Sequence, residues 1–531
     1  VIKMREVTKP HPLMQQNLLD KAIAYFSPKI AQRRMVSRAT LALAGGYTGA
    51  RVDRAALASW RTQAGSPTTD IISDLPALRA RSRDQMRNAP IALGALNITN
   101  SHSVGTGLSC NPAINADLLG MSQDTAEAWQ RDTRARFDLW AKSKDCTLDR
   151  RHDFFQAQGL DYRATKESGD TFVVTPLMQR NGQSMLVLQL VEADRVCNPD
   201  RKPDTTTLID GVELSEETGE AVAVHIAKQH PGDRLVKNTW TRVPVRGATT
   251  NRRNVLHITK SLRIGQVRGV PWIAPILEPL KQLSQYTDAE LKAAVDSAVT
   301  SFFTKMDPDA FSDLFDDEAK STLIKKGAEW DGNLAGNNKV INLLPGEEVQ
   351  NFTPGRPNPQ FDPFVLAILR QIGAALEIPF EVLIMHFQSS YTAARGAFMM
   401  AWKFFRMERD MVVTELCQPV YELWLENEVA EGRVRAPGFF ADPLIKAAWS
   451  AAVWTGDGPG SVDPTKEVAA AEKRVALGIS TKQAESILHD GVDWETKHRQ
   501  RVKETQAEKR DGIWAAPPGS PAPAPEQQPQ D

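Results

Sequence analysis

Five aspartates crowd the stretch from 307 to 317: Asp307, Asp309, Asp313, Asp316 and Asp317. Carboxylates at that density are what a metal-dependent DNA enzyme would use to hold a divalent cation and activate water. Their spacing lacks the pattern of an EF-hand loop, and acidic insertions are commonly only solvated, so the plainer reading stands first. Other chemistries have less to hold. The nine histidines contain no HExxH pair, no serine sits in a GxSxG elbow, and no cysteine shares a local catalytic signature with a histidine. No GxxxxGK[ST] is present to cradle phosphates, and the glycines of "GDGPGS" from Gly456 do not follow a strand as a dinucleotide fingerprint requires. Neither ATP nor NAD use is expected, and no catalytic residue, metal ligand or cofactor is assigned.

What must position functional residues is therefore an architecture rather than a compact catalytic constellation. A chain of 531 residues exceeds the size at which one core keeps growing, so two to four structural regions are expected. With 41% hydrophobic and 24% charged residues, most of it should fold. Cys110, Cys146, Cys197 and Cys417 lie far apart with no CxxC pair, against a zinc site or a disulfide scaffold and in keeping with a reducing cytoplasm. A formal net charge of −1 means that any nucleic-acid role must rest on local patches. No apolar run approaches the roughly 20 residues of a membrane helix, and "VIKMREVTKPHPLMQQ" lacks the apolar core of a signal peptide, so no membrane partner and no export by that route are expected.

Hydrophobic periodicity divides the chain. To about Lys166 it reads mainly as helix, with "LLDKAIAYF" stopping at Ser27-Pro28 and "IAQRRMVSRATLALA" at Gly45-Gly46. Arg79, Arg81, Arg83 and Arg87 on the helix from Leu75 to Asn88 are candidate contacts to phosphate or a neighbouring chain, against the plainer reading of a salt-bridged face. Trp129, Phe137 and Trp140 are expected core anchors. From about 170 the period becomes that of strands, with hairpins expected at Asn181-Gly182 and Gly219 and further strands in "WTRVPV" and "NVLHITK". "SLRIGQVRGVPWIAP", Ser261 to Pro275, ends that sheet, and Pro271 is expected to start a helix. That helix would reach Phe303, roughly 48 Å at about 1.5 Å per residue, unless Thr287 and Glu290 cap a restart near Tyr286. Helices are also expected over "FDPFVLAILRQIGAALEI" up to Ile378-Pro379, from about Thr392 to Glu428, and through most of 441–488. The tail from Ala515 has no apolar content to offset ordering entropy and reads as disordered.

The long helix has a marked pattern. At about 100° per residue, Arg395, Lys403, Arg406, Arg409 and Asp410 fall within roughly one third of its circumference. Ala394, Ala397, Phe398, Ala401, Phe404, Phe405 and Met407 line the rest, while Met399 and Trp402 interrupt the basic stripe. Such a helix suits a packed subunit boundary.

Several motifs occur in one order along nearly the whole chain: "RSRDQMRN", "VLHITKSLRIGQVRGVPWIAP", "SSYTAARGAFMMAWKFFRMERD" with "QPVYELWLENEVAEG", and "WTGDGPGSVDPTKEVAAAEKRVALGISTKQ". Together they resemble the portal protein of tailed phages, in the lambda-like branch. The resemblance implies a mainly helical α+β fold assembled as a ring, with an α/β wing, helical stem, small α/β clip and helical crown. Mapped here, 1–270 is wing, 271–304 the first stem helix, 305–360 the clip, 361–377 the second stem helix and 378–391 the tunnel loop. Residues 392–430 form the helix from channel to wing, 431–514 the crown region and 515–531 the tail. It also implies a homododecamer at the unique capsid vertex that conducts double-stranded DNA during packaging and ejection. Implied partners are the terminase large subunit, the major capsid and scaffolding proteins, and the head–tail joining proteins, with assembly in the host cytoplasm. No enzymatic activity is expected, because the chemistry belongs to the motor. Another head component, minor capsid or maturation protein, and a metal-dependent DNA enzyme remain as alternatives.

On that mapping the loop Met385, His386, Phe387, Gln388, Ser389 and Ser390 faces DNA, with His386, Phe387 and Gln388 at its tip nearest. Arg395, Lys403, Arg406 and Arg409 face a neighbouring subunit or the channel. Arg263, Gly265, Arg268, Gly269, Pro271 and Trp272 make the corner between wing and stem, where either arginine could pair with a neighbour or with DNA. A near-neutral chain fits a conduit, because each phosphate neutralised would add affinity that opposes sliding.

Overall fold

The computed structural model describes residues 23–43, 59, 62, 64–233, 238–298, 302–306, 347–351, 358–387, 390–460 and 464–513. It divides into two compact units, 1–66 and 67–531. In the first, Pro28–Leu43 forms helix α1, as "IAQRRMVSRATLALA" leads one to expect. The elements that follow belong to the second, and most of its regular structure is helical.

Helices α2 (Leu75–Asn88) and α3 (Pro90–Ser103) each carry a proline in the first turn, where the missing N–H leaves no intrahelical bond unmade. Strand β1 (Ser109–Pro112) precedes α4 (Gln123–Lys142), whose N-cap Ser122 accepts from the Thr125 amide. Helix α5 (Phe154–Ser168) opens with a reciprocal capping box between Asp153 and Gln156 and ends at Gly169, at φ +94°. Four strands follow, an antiparallel β2–β5 pair enclosing a β3–β4 hairpin: β2 (Asp170–Val174), β3 (Leu177–Arg180), β4 (Gln183–Leu186) and β5 (Gln189–Glu192). The β3–β4 turn is the expected Asn181-Gly182, both at positive φ, 53° and 77°. Strands β6 (Leu208–Ile209), β7 (Val212–Leu214), β8 (Ala221–Ala227) and β9 (Trp240–Pro244) pair in sequence order, with Gly219 between β7 and β8. Strand β10 (Val255–Thr259) returns to pair with β2, giving the order β10-β2-β5.

A 3₁₀ turn, Ala274–Ile276, leads into α6 (Leu277–Ala298). Pro271 therefore does not start the helix. It is buried ahead of the turn, and Pro275 takes the early position instead. No restart occurs at Tyr286, because Thr287 Oγ1 donates to the Leu283 carbonyl (2.9 Å) inside a continuous helix. The helix is shorter than expected, since Phe302 and Phe303 belong to β11 (Phe302–Met306), paired with β12 (Glu347–Asn351). The aspartates from 307 to 317 and the tail from Ala515 lie outside the described residues.

Helix α7 (Phe361–Leu376) ends at Glu377 in a left-handed conformation, followed by Ile378-Pro379 and the short α8 (Phe380–Leu383). Helix α9 (Tyr391–Val412) continues through a π-helical turn, Val413–Cys417, into α10 (Gln418–Ala430). Pro419 sits in the first turn after the π segment, where its lack of an N–H is absorbed by a wider turn. Helix α11 (Pro443–Ser450) leads to β13 (Ala452–Thr455), paired antiparallel with β1. Both strands fall where helix was expected. Their pairing is non-local, so neither carries a local signal strong enough to reveal it. Strand β13 also ends directly before Gly456, so the glycines of "GDGPGS" do follow a strand, although one of an antiparallel pair and not of the βαβ unit that a dinucleotide fingerprint needs. Helices α12 (Pro464–Ala476), α13 (Lys482–Asp490) and α14 (Trp494–Arg510) complete the described chain. No helix among the described residues is long and apolar enough to cross a membrane.

Two large cores hold these elements. One gathers α4, α5, α10 and β13 around Phe137, whose ring lies 5.1–5.9 Å from those of Trp140, Phe154, Tyr421 and Trp424. The other joins α2, α3, α6, α7, α8 and α9 through Leu96, Ile276, Leu280, Ile372 and Phe404. Phe137 and Trp140 are buried as expected, and the Trp129 indole donates to the Arg435 carbonyl at the first core's edge.

Candidate functional site

The punctuated stretch after β10 folds around one buried guanidinium. Arg268 is wholly inaccessible to solvent. Its Nε donates to Asp170 Oδ2 and its Nη1 to Asp210 Oδ2, each at 2.7 Å, and it donates further to the carbonyls of Val196 and Ala193, each at 2.9 Å. Asp170, equally buried, also accepts from Arg79 Nη2 (3.0 Å), the Gly269 amide (2.9 Å) and His257 Nε2 (3.1 Å). Burial alone would push the Asp170 carboxyl up, but Arg268 and Arg79 outweigh it and hold that carboxyl well below the usual carboxylate range. Burial would lower Arg268 in turn, yet Asp170 and Asp210 raise it above the ordinary arginine value. Arg79 stays lowered, by burial and by the neighbouring Arg268. Each buried charge is thus paired and hydrogen-bonded, the condition under which buried ions are tolerated.

Arg268 is accordingly an internal brace, facing neither DNA nor a neighbour. Arg79 and Arg83 also turn inward. Arg83 Nη2 bonds Asp194 and the Ser168 hydroxyl and lies 3.3 Å from Glu192. Glu192, Asp194 and His230 could by type and proximity hold a metal ion, but the Arg83 guanidinium already occupies the two carboxylates. Of the corner arginines only Arg263 is at the surface, where it pairs with Asp70 at 2.7 Å.

Two glycines let the backbones meet. A Cβ on Gly269 would stand 2.0 Å from the Gly169 carbonyl oxygen, and one on Gly169 would stand 2.4 Å from the Gly269 carbonyl carbon. Gly265 serves the turn instead, with φ +80° and open space around it. Beside this contact the Trp272 amide donates to the Lys166 carbonyl (3.0 Å), and the Lys166 ammonium lies 5.1 Å from the Trp272 ring centre. Lys166 ion-pairs with buried Glu408 of α9, which Lys260 at the end of β10 also reaches at 3.0 Å and the Tyr162 hydroxyl at 3.3 Å. Burial would raise the Glu408 carboxyl, but Lys166 and Lys260 together keep it lowered. The corner, α5 and α9 are thereby locked together.

Ahead of α9, Met385 is exposed at φ +53°, the His386 amide donates to the Glu381 carbonyl (3.0 Å), and Phe387 stacks on Phe398 at 5.8 Å. Ser390 caps α9, its Oγ accepting from the Ala393 amide. Gln388 and Ser389 lie outside the described residues. Along α9, Ala401, Phe404, Phe405 and Glu408 are buried, whereas Arg395, Met399, Met400, Lys403, Arg406 and Met407 are exposed. Two residues differ from the expected pattern. Met407 joins the exposed stripe, and Arg409 leaves it: half-buried, its guanidinium donates to the carbonyls of Ser103, His102 and Asp457. Arg395 lies 4.0 Å from Glu467 of α12.

Residues 53–409 match the family model described as "Phage portal protein, lambda family". The chain belongs to that family. As a portal protein it is a structural component of the virion and its head–tail connector, which sets aside the reading as a minor capsid or maturation protein. Its relatives include Portal protein B of Escherichia phage lambda, 24% identical over 485 residues that cover 87% of this chain and 90% of that one. The portal protein of Escherichia phage N15 is 24% identical, covering 89% and 91%. Among solved structures, a chain in the virion of a gene transfer agent particle aligns with a TM-score of 0.43 at 11% identity, covering 77% of this chain and 95% of that one. The HK97-family phage portal protein from Corynebacterium diphtheriae aligns with a TM-score of 0.31 at 10% identity, covering 67% and 91%.

Proposed function

We propose that this portal protein assembles as a ring of twelve at the unique capsid vertex. The ring conducts double-stranded DNA in packaging and ejection. It has no enzymatic activity, and it serves as the platform on which the terminase large subunit and later the head–tail joining proteins dock. Assembly takes place in the host cytoplasm with scaffolding and major capsid proteins as partners. Family membership over most of the chain is the observation that carries this reading.

The geometry agrees in kind. Ionisable groups at the corner are consumed in internal bracing, as a load-transmitting frame requires, and the exposed cations on α9 alternate with methionines rather than forming a deep basic track. Each lost phosphate contact lowers the salt-dependent affinity that would stall a sliding duplex. The loop of Met385, His386, Phe387, Gln388, Ser389 and Ser390 approaches the DNA, and the stripe of Arg395, Lys403 and Arg406 faces the adjacent subunit. Negative-stain microscopy of the purified protein tests the proposal. Rings with an axial hole are expected. A persistent monomer at high concentration that cleaves DNA when metal is added would overturn it.

A further inference from the structure

Directly after β13, residues 456–460 run as a strap between α9 and the last three helices. On one side Arg409 of α9 donates to the Asp457 carbonyl (2.8 Å) as well as to the carbonyls of His102 (3.0 Å) and Ser103 (2.9 Å) at the end of α3. On the other side the strap backbone lies against the C-terminal turn of α13. A Cβ on Gly458 would stand 2.6 Å from the Leu488 carbonyl oxygen, and one on Gly491, which ends α13 at φ +75°, would stand 2.0 Å from the Gly456 carbonyl oxygen. Glycine is what permits backbones to approach so closely. A single guanidinium therefore holds the strap against which α13 rests.

Helices α12, α13 and α14 are tied to one another more firmly than to the rest of the chain. The Arg474 guanidinium of α12 grips Glu485 of α13 with two bonds, at 2.8 and 2.6 Å. Gln483 of α13 joins the start of α14, accepting from the Trp494 amide (2.9 Å) and donating to Asp493, and Lys497 pairs with Asp490 at 2.6 Å. Toward the body the balance differs. Helices α12 and α14 bury no side chain, and α13 buries only Ser486, whose hydroxyl donates to the Val492 carbonyl (2.7 Å) within the same unit. Val468, Leu477, Ile479 and Leu488 stay exposed, and no residue of the three helices belongs to either large core. Two ion pairs do cross to the body, Arg134 to Asp493 at 3.7 Å and Arg395 to Glu467 at 4.0 Å. Pairs of that length on partly exposed side chains contribute little. Elements with few buried apolar contacts open at a fraction of the free energy that unfolds the whole.

We infer that α12–α14 form a clasped unit that undocks as one body while the cores stay folded, with residues 456–460 as its hinge and Arg409 as its catch. Gly460, at φ +72° with open space around it, gives the hinge its freedom. Because the catch stands on α9, movement of that helix and release of the unit are coupled, and linkage makes the coupling reciprocal. The inference goes beyond the proposed ring and does not depend on it.

Hydrogen–deuterium exchange of the full-length protein, read by mass spectrometry of its peptides, tests the clasp. In the wild type, peptides from α12, α13 and α14 should exchange at a common rate, faster than those of α5 and α10. Gly458→Ala drives a methyl group into the Leu488 carbonyl and touches neither core. It should speed exchange across all three helices by about tenfold or more while α9 and α10 keep their wild-type rates. Arg409→Gln, which removes the catch, should accelerate the same three helices to a similar extent. Three helices that exchange independently of one another, or only as slowly as the cores, would overturn the unit. Acceleration that spreads equally to α9 and α10 in Gly458→Ala would overturn its separation from the body. Unchanged exchange of α12–α14 in Arg409→Gln would overturn the catch.

Discussion

Replacing Arg268 with methionine would test the bracing role of the corner most directly. The substitution keeps an unbranched side chain of comparable reach and removes the guanidinium from a site where Asp170 has no access to solvent. Asp170 would keep Arg79, His257 and the Gly269 amide, but Asp210 and the carbonyls of Ala193 and Val196 would each lose a donor. Removing one partner of a buried pair costs about 3–5 kcal/mol, because the other charge stays buried and less compensated. The remaining partners of Asp170 place the expected loss near the lower end, about 3 kcal/mol. Urea denaturation followed by tryptophan fluorescence would measure it. In a cycle with Asp170→Asn, the double variant should lose markedly less than the sum of the singles, with a coupling energy of about 1–3 kcal/mol.

The pH dependence adds a second readout. The folded-state value of Asp170 is depressed, so the stability it contributes is fully present above the unfolded carboxyl value of about 3.9 and is lost as pH falls through the lower folded value. Without Arg268 the folded value rises, and acid unfolding should begin at a higher pH than in the wild type. A cost for Arg268→Met within about 0.5 kcal/mol, the range of ordinary surface changes, together with additive singles, would refute the reasoning.

Asp161 behaves in the opposite sense. Fully buried beside the Thr171 hydroxyl, which donates to it at 2.7 Å, its carboxyl is pushed up to about 7 by burial. The unfolded chain binds fewer protons there between about pH 4 and 7, so stability should fall across that window as pH rises, by at most about 4 kcal/mol for three pKa units. Asp161→Asn keeps an acceptor for Thr171 and should flatten the slope, with a higher melting temperature than wild type at pH 8 and little difference at pH 4. Gly269→Ala and Gly265→Ala should separate two uses of glycine. The first drives a methyl group into the Gly169 carbonyl and should abolish soluble folded protein, while the second, in open space at positive φ, should cost only about 1–2 kcal/mol in a thermal melt.

Much of the fold is legible in local signals because those signals are local in cause. The Asn181-Gly182 turn, the capped and proline-started helices and the Ile378-Pro379 break need only neighbouring residues to form. The β1–β13 pair and the end of α6 at β11 are different, since their geometry is set by partners far along the chain. The same division runs through the site. Corner glycines and Trp272 are visible as punctuation, but the roles of Arg268 and Arg409 are not, because a basic residue on a helical or loop pattern reads as solvated until its distant acceptors are known. Asp170 and Glu408, the hubs of both ion networks, stand in runs that offer no sign of burial. Met407 escapes for a related reason: a methionine reads as core by type, and only the packing shows that its side of α9 is left open.

The π-helical turn at Val413–Cys417 has a consequence for how α9 and α10 can share one axis. A helix advances about 100° per residue, so one extra residue taken up in a wide turn shifts the phase of everything after it by about that angle. Counted as an unbroken α-helix from Glu408, Tyr421 and Trp424 would point roughly 140–160° away from the buried side of α9. With the extra residue absorbed, their average direction returns to within about 90° of it, where both are buried. The turn works as a phase corrector between two cores with independent periodicities, and Val412 to Cys417 is where the rod passes from one to the other. A one-residue deletion there would leave composition and helix propensity almost untouched and yet swing the aromatic anchors of α10 out of their core.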